Sequence, residues 1–199
     1  MENGREENPG TEVEGGEVRA VEQALIQAAR KGDKKAFGQL LRRHQKRLFR
    51  FVLGLTGSFD QAEDIVQDAF VKAYQALDTF EMGRDFYPWL STIARNRALN
   101  LIAREERKES LDKIQEQGFD TASNDPGPLA QVISSENQQR FYAALKELPE
   151  QFRVVFVLRH FEELSYDEIA KQLKIAPGTV DSRLFRARQL LVEALRDLL

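Results

Sequence analysis

The sequence predicts an all-α protein: two small helical domains joined by a flexible acidic linker. Three observations carry that expectation. Apolar residues recur at helical spacing up to about Glu106 and again from near Asn137 to the end, with no alternating strand pattern of useful length. Between these blocks, Gly118 and the DPGP run at 125–128 interrupt any long helix. Ahead of them, residues 1–20 are rich in Glu and Gly and poor in bulky apolar groups. The predicted organisation is therefore a disordered acidic tail (1–20), a first helical domain (21–107), a linker (108–136) and a second helical domain (137–199).

Composition narrows the chemistry. The chain has 199 residues, 42% of them apolar and 31% charged, with a formal net charge of −3. That is enough apolar surface for a core, and no apolar run approaches the ~20 residues that cross a bilayer, so membrane insertion is not expected. Cysteine is absent, which removes disulfides, thiolate metal sites and cysteine nucleophiles together. His44 and His160 lie far apart, each within a helical pattern, so no metal, cofactor or catalytic residue is assigned. Glycine-rich phosphate loops and nucleophile elbows are also missing. The sequence does not read as an enzyme, and a cytoplasmic location is expected.

In the first domain, Asp33 can cap a helix whose buried face is Phe37, Leu40, Leu41, His44, Leu48, Phe51, Val52 and Leu55. Seven bases between Lys34 and Arg50 crowd its other faces. The next helix starts D-x-x-E, with Asp60 and Glu63 resembling a capping box. Its stripe is Ala62, Ile65, Val66, Ala69, Phe70, Ala73, Tyr74 and Leu77. Asp64, Gln67 and Asp68 project from the other side, either an ordinary acidic surface or a docking face for a basic partner. A loop carrying Gly83 and ending at Pro88 then enters a helix with Leu90, Ile93, Ala94, Leu101 and Ile102 inward. Thr92, Arg95, Asn96 and Asn100 remain for its outer faces. Phe86, Tyr87 and Trp89 cluster at that junction; they suit helix-entry packing and equally the stacking of unpaired bases.

The linker, Leu111 to Asn137, sets five carboxylates against Lys113 alone and reads from composition as a solvated tether. In the second domain a helix follows Pro149, burying Phe152, Val155, Phe156 and Leu158 or their neighbours. Ser165 and Glu168 form a capping box over the next helix, which turns Ile169, Ala170 and Leu173 inward. Lys174, Ile175 and Ala176 make a short turn, and Pro177 opens the last helix, where its missing N–H does no harm. Val180, Leu184, Ala187 and Leu191 are that helix's buried side, and Arg183, Arg186 and Arg188 stud the rest. A capped helix, tight turn and basic second helix together describe a helix-turn-helix, whose second helix lies in the major groove of DNA.

Three segments, in order, resemble the diagnostic regions of bacterial RNA polymerase sigma factors of the short extracytoplasmic-function (ECF) type. They are AEDIVQDAFVKAYQALDTF, FYPWLSTIARNRALN and LPEQFRVVFVLRHFEELSYDEIAKQLKIAPGTVDSRLFRAR. The resemblance implies a region 2 domain that docks on core RNA polymerase through Asp64, Gln67 and Asp68. It implies that the 80–88 loop captures a flipped −10 base and that Arg84, Tyr87, Trp89, Thr92, Arg95, Asn96 and Asn100 serve the −10 element. A region 4 helix-turn-helix would read the −35 element through Thr179, Asp181, Ser182, Arg183, Phe185 and Arg186. The implied partners are core polymerase, promoter DNA (duplex at −35, melted at −10) and an anti-sigma factor. The linker would lie along the positive channel to the active centre.

The family commonly carries Arg, Lys or an apolar residue where this chain has Asp181. A carboxylate there gains modestly from the helix dipole and is repelled by phosphates, unless it accepts from a base amino group or orients an arginine. Both roles make it a selectivity device. A freestanding helix-turn-helix regulator is the competing reading; it requires a dimer surface and leaves the acidic helix unexplained.

Overall fold

The computed structural model describes residues 10–112, 129, 132–133 and 135–196. Among these there are eight α-helices, one 3₁₀ turn at Leu77–Thr79 and no strand. Helices α1 (Gly10–Arg30), α2 (Lys34–Thr56), α3 (Phe59–Gln75) and α4 (Phe86–Asp112) make the first half. Helices α5 (Glu136–Glu147), α6 (Glu150–Phe161), α7 (Tyr166–Leu173) and α8 (Pro177–Ala194) make the second.

Most helix starts follow their sequence signatures. Asp33 Oδ1 accepts from the N–H groups of Lys35 (2.8 Å) and Ala36 (3.2 Å), satisfying donors at the head of α2. Gly57, at φ 69°, ends that helix in the left-handed region. Ser165 and Glu168 close their capping box reciprocally, and Pro177 sits in the first turn of α8. The turn between α7 and α8 passes through Lys174 at φ 54°, an unusual conformation for a non-glycine residue. The start of α3 differs from expectation. Its cap is Ser58, which accepts from Gln61 N–H, and Asp60 lies inside the first turn. Glu63 accepts instead from the Leu129 N–H at 2.8 Å, so a long-range donor outcompetes the local capping geometry.

Two expected boundaries also move. Helix α1 begins at Gly10, so part of the stretch read as a disordered tail is helical. Its apolar Val18 and Val21 stay exposed, while Arg19 and Gln23 bond to the 83–85 segment. Polar tethering, invisible to a composition count, is what engages it. Helix α4 continues to Asp112, into the stretch assigned to the linker; residues 113–128 lie outside the described ones.

The core is centred on α2. Leu40, Leu48, Phe51, Val52 and Leu55 are buried as expected, and Phe37, Leu41 and His44 are half-buried. Phe49, Leu53 and Gly54, on the opposite side of the helix, are also buried. From Leu48 to Leu55 only Arg50 reaches solvent, because α5 and α6 cover the face that α3 and α4 leave open. Each large side chain so enclosed contributes about 1.5–3 kcal/mol. Gly54 makes the approach possible: a Cβ there would stand 3.2 Å from Val157 Cγ2, closer than ordinary packing. Polar contacts fix the register. Arg153 Nε donates to the Leu55 carbonyl at 3.0 Å, and Tyr142 Oη donates to the Arg50 carbonyl at 3.3 Å. Burial pushes the Tyr142 hydroxyl up to about 12, keeping it a donor.

Gly54→Leu is expected to force α6 off α2 and to destabilise the chain by about 1–3 kcal/mol through overpacking. Urea unfolding should register the loss, and X-ray scattering a larger radius of gyration. An unchanged midpoint and radius would mean that the two halves do not meet at Gly54.

Candidate nucleic-acid interface

Three surfaces gather the residues singled out by sequence. The first is the exposed side of α3. Asp64 and Gln67 face solvent, but Asp68 is not a free acid: its carboxylate pairs with Lys72 at 3.1 Å and Arg97 at 3.0 Å. Beside it runs an open apolar groove of about 650 Å³ between α2 and α3. Phe37, Val66, Phe70, Val71 and Tyr74 line it, with Gln67 on its rim. Tyr74, expected within the buried stripe, is 37% exposed here, and Val71 is 50% exposed. The helical stripe of α3 is wider than α2 can cover, so its edge remains open. Val71 is the one sequence sign of this groove, an apolar residue off the stripe.

The second surface is the 80–88 loop and the face of α4 that follows. Trp89 packs edge-on against Phe80 (ring centroids 5.4 Å apart) and tilted against Phe86 (5.6 Å). It is nonetheless half-exposed, and with Phe80, Arg84, Pro88 and Arg19 it lines a surface cleft of about 670 Å³. Packing and partial exposure therefore coexist at this residue. Arg84 is exposed and pairs with Glu81 at 2.7 Å, and Asn96 and Asn100 are exposed. Thr92 Oγ1 donates to the Pro88 carbonyl at 2.8 Å and accepts from Arg95 Nη2 at 3.2 Å.

Tyr87 and Arg95 are less accessible. The turn between α6 and α7 covers them, and Glu162 from that turn reaches the α4 face. Its carboxylate accepts from Ser91 Oγ at 2.5 Å and Tyr87 Oη at 3.3 Å. Burial raises the Glu162 pKa, opposed by Ser91, Arg95, Tyr87 and Arg47. Arg47 stacks its guanidinium 3.7 Å above the Tyr87 ring, and burial raises the Tyr87 pKa. Burial also lowers the Arg95 pKa, and its Nε has no hydrogen-bond partner among the described residues. Beneath this layer His44 Nε2 donates to Glu22 Oε1 at 2.7 Å, with His44 held below its usual pKa chiefly by burial. Glu162 and Ser91 escaped sequence reasoning because they are 71 residues apart and neither belongs to a local motif.

The third surface is α8. Asp181, Ser182, Phe185 and Arg186 are exposed, and Thr179 and Arg183 are half-exposed near the helix start. Phe185, at 62%, presents an aromatic ring to solvent. Ser182 Oγ donates to the Thr179 carbonyl and Arg186 Nη1 to Gln189 Oε1, both at 3.1 Å. No ion pair forms at Asp181 among the described residues, so the arginine-orienting role has no contact here. His160 stacks on Phe156, and no cluster of metal-ligating side chains forms among the described residues.

The Sigma-70 region 2 family matches residues 40–108, and the Sigma-70, region 4 family matches residues 138–191. The chain is 35% identical over 184 residues to the RNA polymerase sigma-H factor of Pseudomonas aeruginosa, covering 89% of this chain and 95% of that one. It is 37% identical over 174 residues to the ECF RNA polymerase sigma-E factor of Escherichia coli K12, covering 84% and 91%. Among solved structures it resembles the sigma factor RpoE of Bartonella quintana in complex with the anti-sigma factor NepR. That match has a TM-score of 0.58 and 31% identity, covering 81% of this chain and 98% of the other. Two region models in the right order, on a helical body with an exposed helix-turn-helix, lead to one assignment: the chain belongs to the sigma-70 family of RNA polymerase sigma factors, as a member of the ECF type.

Proposed function

We propose that this chain directs core RNA polymerase to promoters through three surfaces: α3 for the polymerase, the 80–88 loop and α4 for the −10 element, and α8 for the −35 element. The observation that carries the reading is the ordered pair of region 2 and region 4 matches, each falling on a surface chemically suited to its task. The chain serves as a specificity subunit and supplies no catalytic group. Its net charge of −3 fits that role, since the core enzyme can supply much of the non-specific phosphate attraction. Because the RpoE neighbour is a complex with an anti-sigma factor, we infer that this chain too is held by a protein inhibitor.

Geometry adds a requirement. Elements at −10 and −35 stand about 85 Å apart at 3.4 Å per base pair. A compact chain of this length has a radius of gyration of about 16 Å and cannot bridge them. The segment from Asp112 to Glu136 can reach about 80 Å when extended, enough to let the halves part. Parting also frees Tyr87, Ser91 and Arg95 from Glu162.

Asp64→Lys with Gln67→Lys is expected to weaken core-polymerase binding at least about tenfold by placing like charges on a basic partner. Both side chains are exposed, so the melting temperature should hold. Normal holoenzyme assembly in a titration against core polymerase would remove α3 from the docking surface.

For α8, Asp181 lies free at the base-reading end and is available to accept from a cytosine amino group. Asp181→Ala should strengthen binding to non-cognate −35 duplexes and narrow the preference for the cognate one by about 1–3 kcal/mol. Binding across a −35 duplex library at fixed salt measures this. An unchanged ranking would leave Asp181 no role in selection.

The Glu162 contact makes closure depend on pH. Its pKa is raised in the closed arrangement, so closing takes up a proton. The contact is therefore tightest below the ordinary carboxylate range and weakens as pH rises through the raised value. Scattering across pH 4–8 should show this expansion in the native chain, and Glu162→Gln should flatten it. Identical curves for the two would acquit Glu162.

A further inference from the structure

Helix α1 precedes the region 2 match, which begins at residue 40. Its side chains nevertheless hold the 81–85 loop by the backbone. Gln23 Nε2 donates to the Arg84 carbonyl at 2.7 Å, and the Gly83 N–H donates to Gln23 Oε1 at 2.9 Å. Arg19 donates to the Gly83 carbonyl and pairs with Asp85 at 3.2 Å. Both backbone polar groups of Gly83 are thus bound by α1. Two turns further along α1, Arg30 Nε donates to the Leu77 carbonyl at 2.9 Å and its Nη2 to the Phe80 carbonyl.

This grip has specific chemistry. An amide offers a donor and an acceptor on one planar group, the same pair a neighbouring strand would present; a carboxylate or an ammonium offers only one of the two. Gly83 takes φ 86°, a region an L side chain resists, and a Cβ there would meet nothing within 4 Å. The glycine therefore serves the turn itself, and the turn presents the Gly83 N–H and the Arg84 carbonyl to Gln23. Arg84, Trp89 and Arg19 line the same cleft, so the tethered backbone carries one wall of it. A surface loop left free would have to be ordered at each binding event, which erodes both affinity and discrimination.

We propose that Gln23, seconded by Arg19, is a positioning residue for −10 recognition: it fixes the 81–85 loop so that the cleft discriminates among unpaired bases. The inference rests on the reading that this loop captures a flipped −10 base. Gln23→Met keeps volume and removes both hydrogen bonds; Gln23→Glu keeps the acceptor for the Gly83 N–H and removes the donor. Each variant is assembled with core polymerase and bound to a fork-junction DNA library carrying all four bases at every unpaired −10 position.

Gln23→Met should reduce base discrimination at one position about five- to tenfold, as expected for the loss of two hydrogen bonds, and Gln23→Glu less. Core-polymerase affinity, −35 duplex binding and melting temperature should hold, which a merely structural role does not predict. Full discrimination in Gln23→Met, alongside its loss in Arg84→Ala and Trp89→Ala, would overturn the positioning role and leave the loop reading intact. Full discrimination in all of these variants would overturn both.

Discussion

The enclosure of α2 is the constraint on which the rest of this structure depends. From Leu48 to Leu55 the helix is buried on nearly every side, by α3 and α4 on one face and by α5 and α6 on the other. Gly54 lets Val157 approach, and Arg153 and Tyr142 reach across to carbonyls near the helix end. Those contacts bring the α6–α7 turn over α4 and so place Glu162 against Ser91 and Tyr87. A packing decision in one helix thus determines how far Tyr87, Ser91 and Arg95 meet solvent.

The energetics of that cover favour a separable contact. Apolar burial around Gly54 is substantial, yet the Glu162 contact sets a partly desolvated carboxylate among hydroxyls without a direct ion pair to Arg95. Burying a charge costs free energy unless its partners compensate fully. The Glu162 contact can therefore be given up at a moderate cost. The apolar groove of α3 stays open while the halves are packed together.

Much of this was legible in the sequence. Asp33, the Ser165–Glu168 box and Pro177 mark helix starts through local chemistry, and local chemistry is what a sequence displays. The stripes of α3 and α8 gave most of their cores for the same reason. Contacts between distant segments were not legible. Glu63 abandoned its capping geometry for Leu129, Asp68 took Arg97 as a partner, and Tyr74 lined a groove instead of the core. Helix α1 was underestimated because Arg19 and Gln23 are engaged by backbone groups some sixty residues away, which no composition count can register. The candidate −10 and −35 residues came from the family resemblance, since spacing left their roles open; the structure adds how exposed each one is, and the cover over Tyr87 and Arg95.

The central claim is that the halves of this sigma factor pack on α2 in the free chain and stand apart on a promoter. The absence of cysteine makes the test clean. Spin labels at Lys35→Cys and Lys171→Cys, both exposed sites, report the separation of the halves by pulsed dipolar spectroscopy. The account predicts a single short distance in the free chain, replaced in the open promoter complex by one longer by tens of ångströms, as elements ~85 Å apart demand. A short distance persisting in the open complex would contradict it.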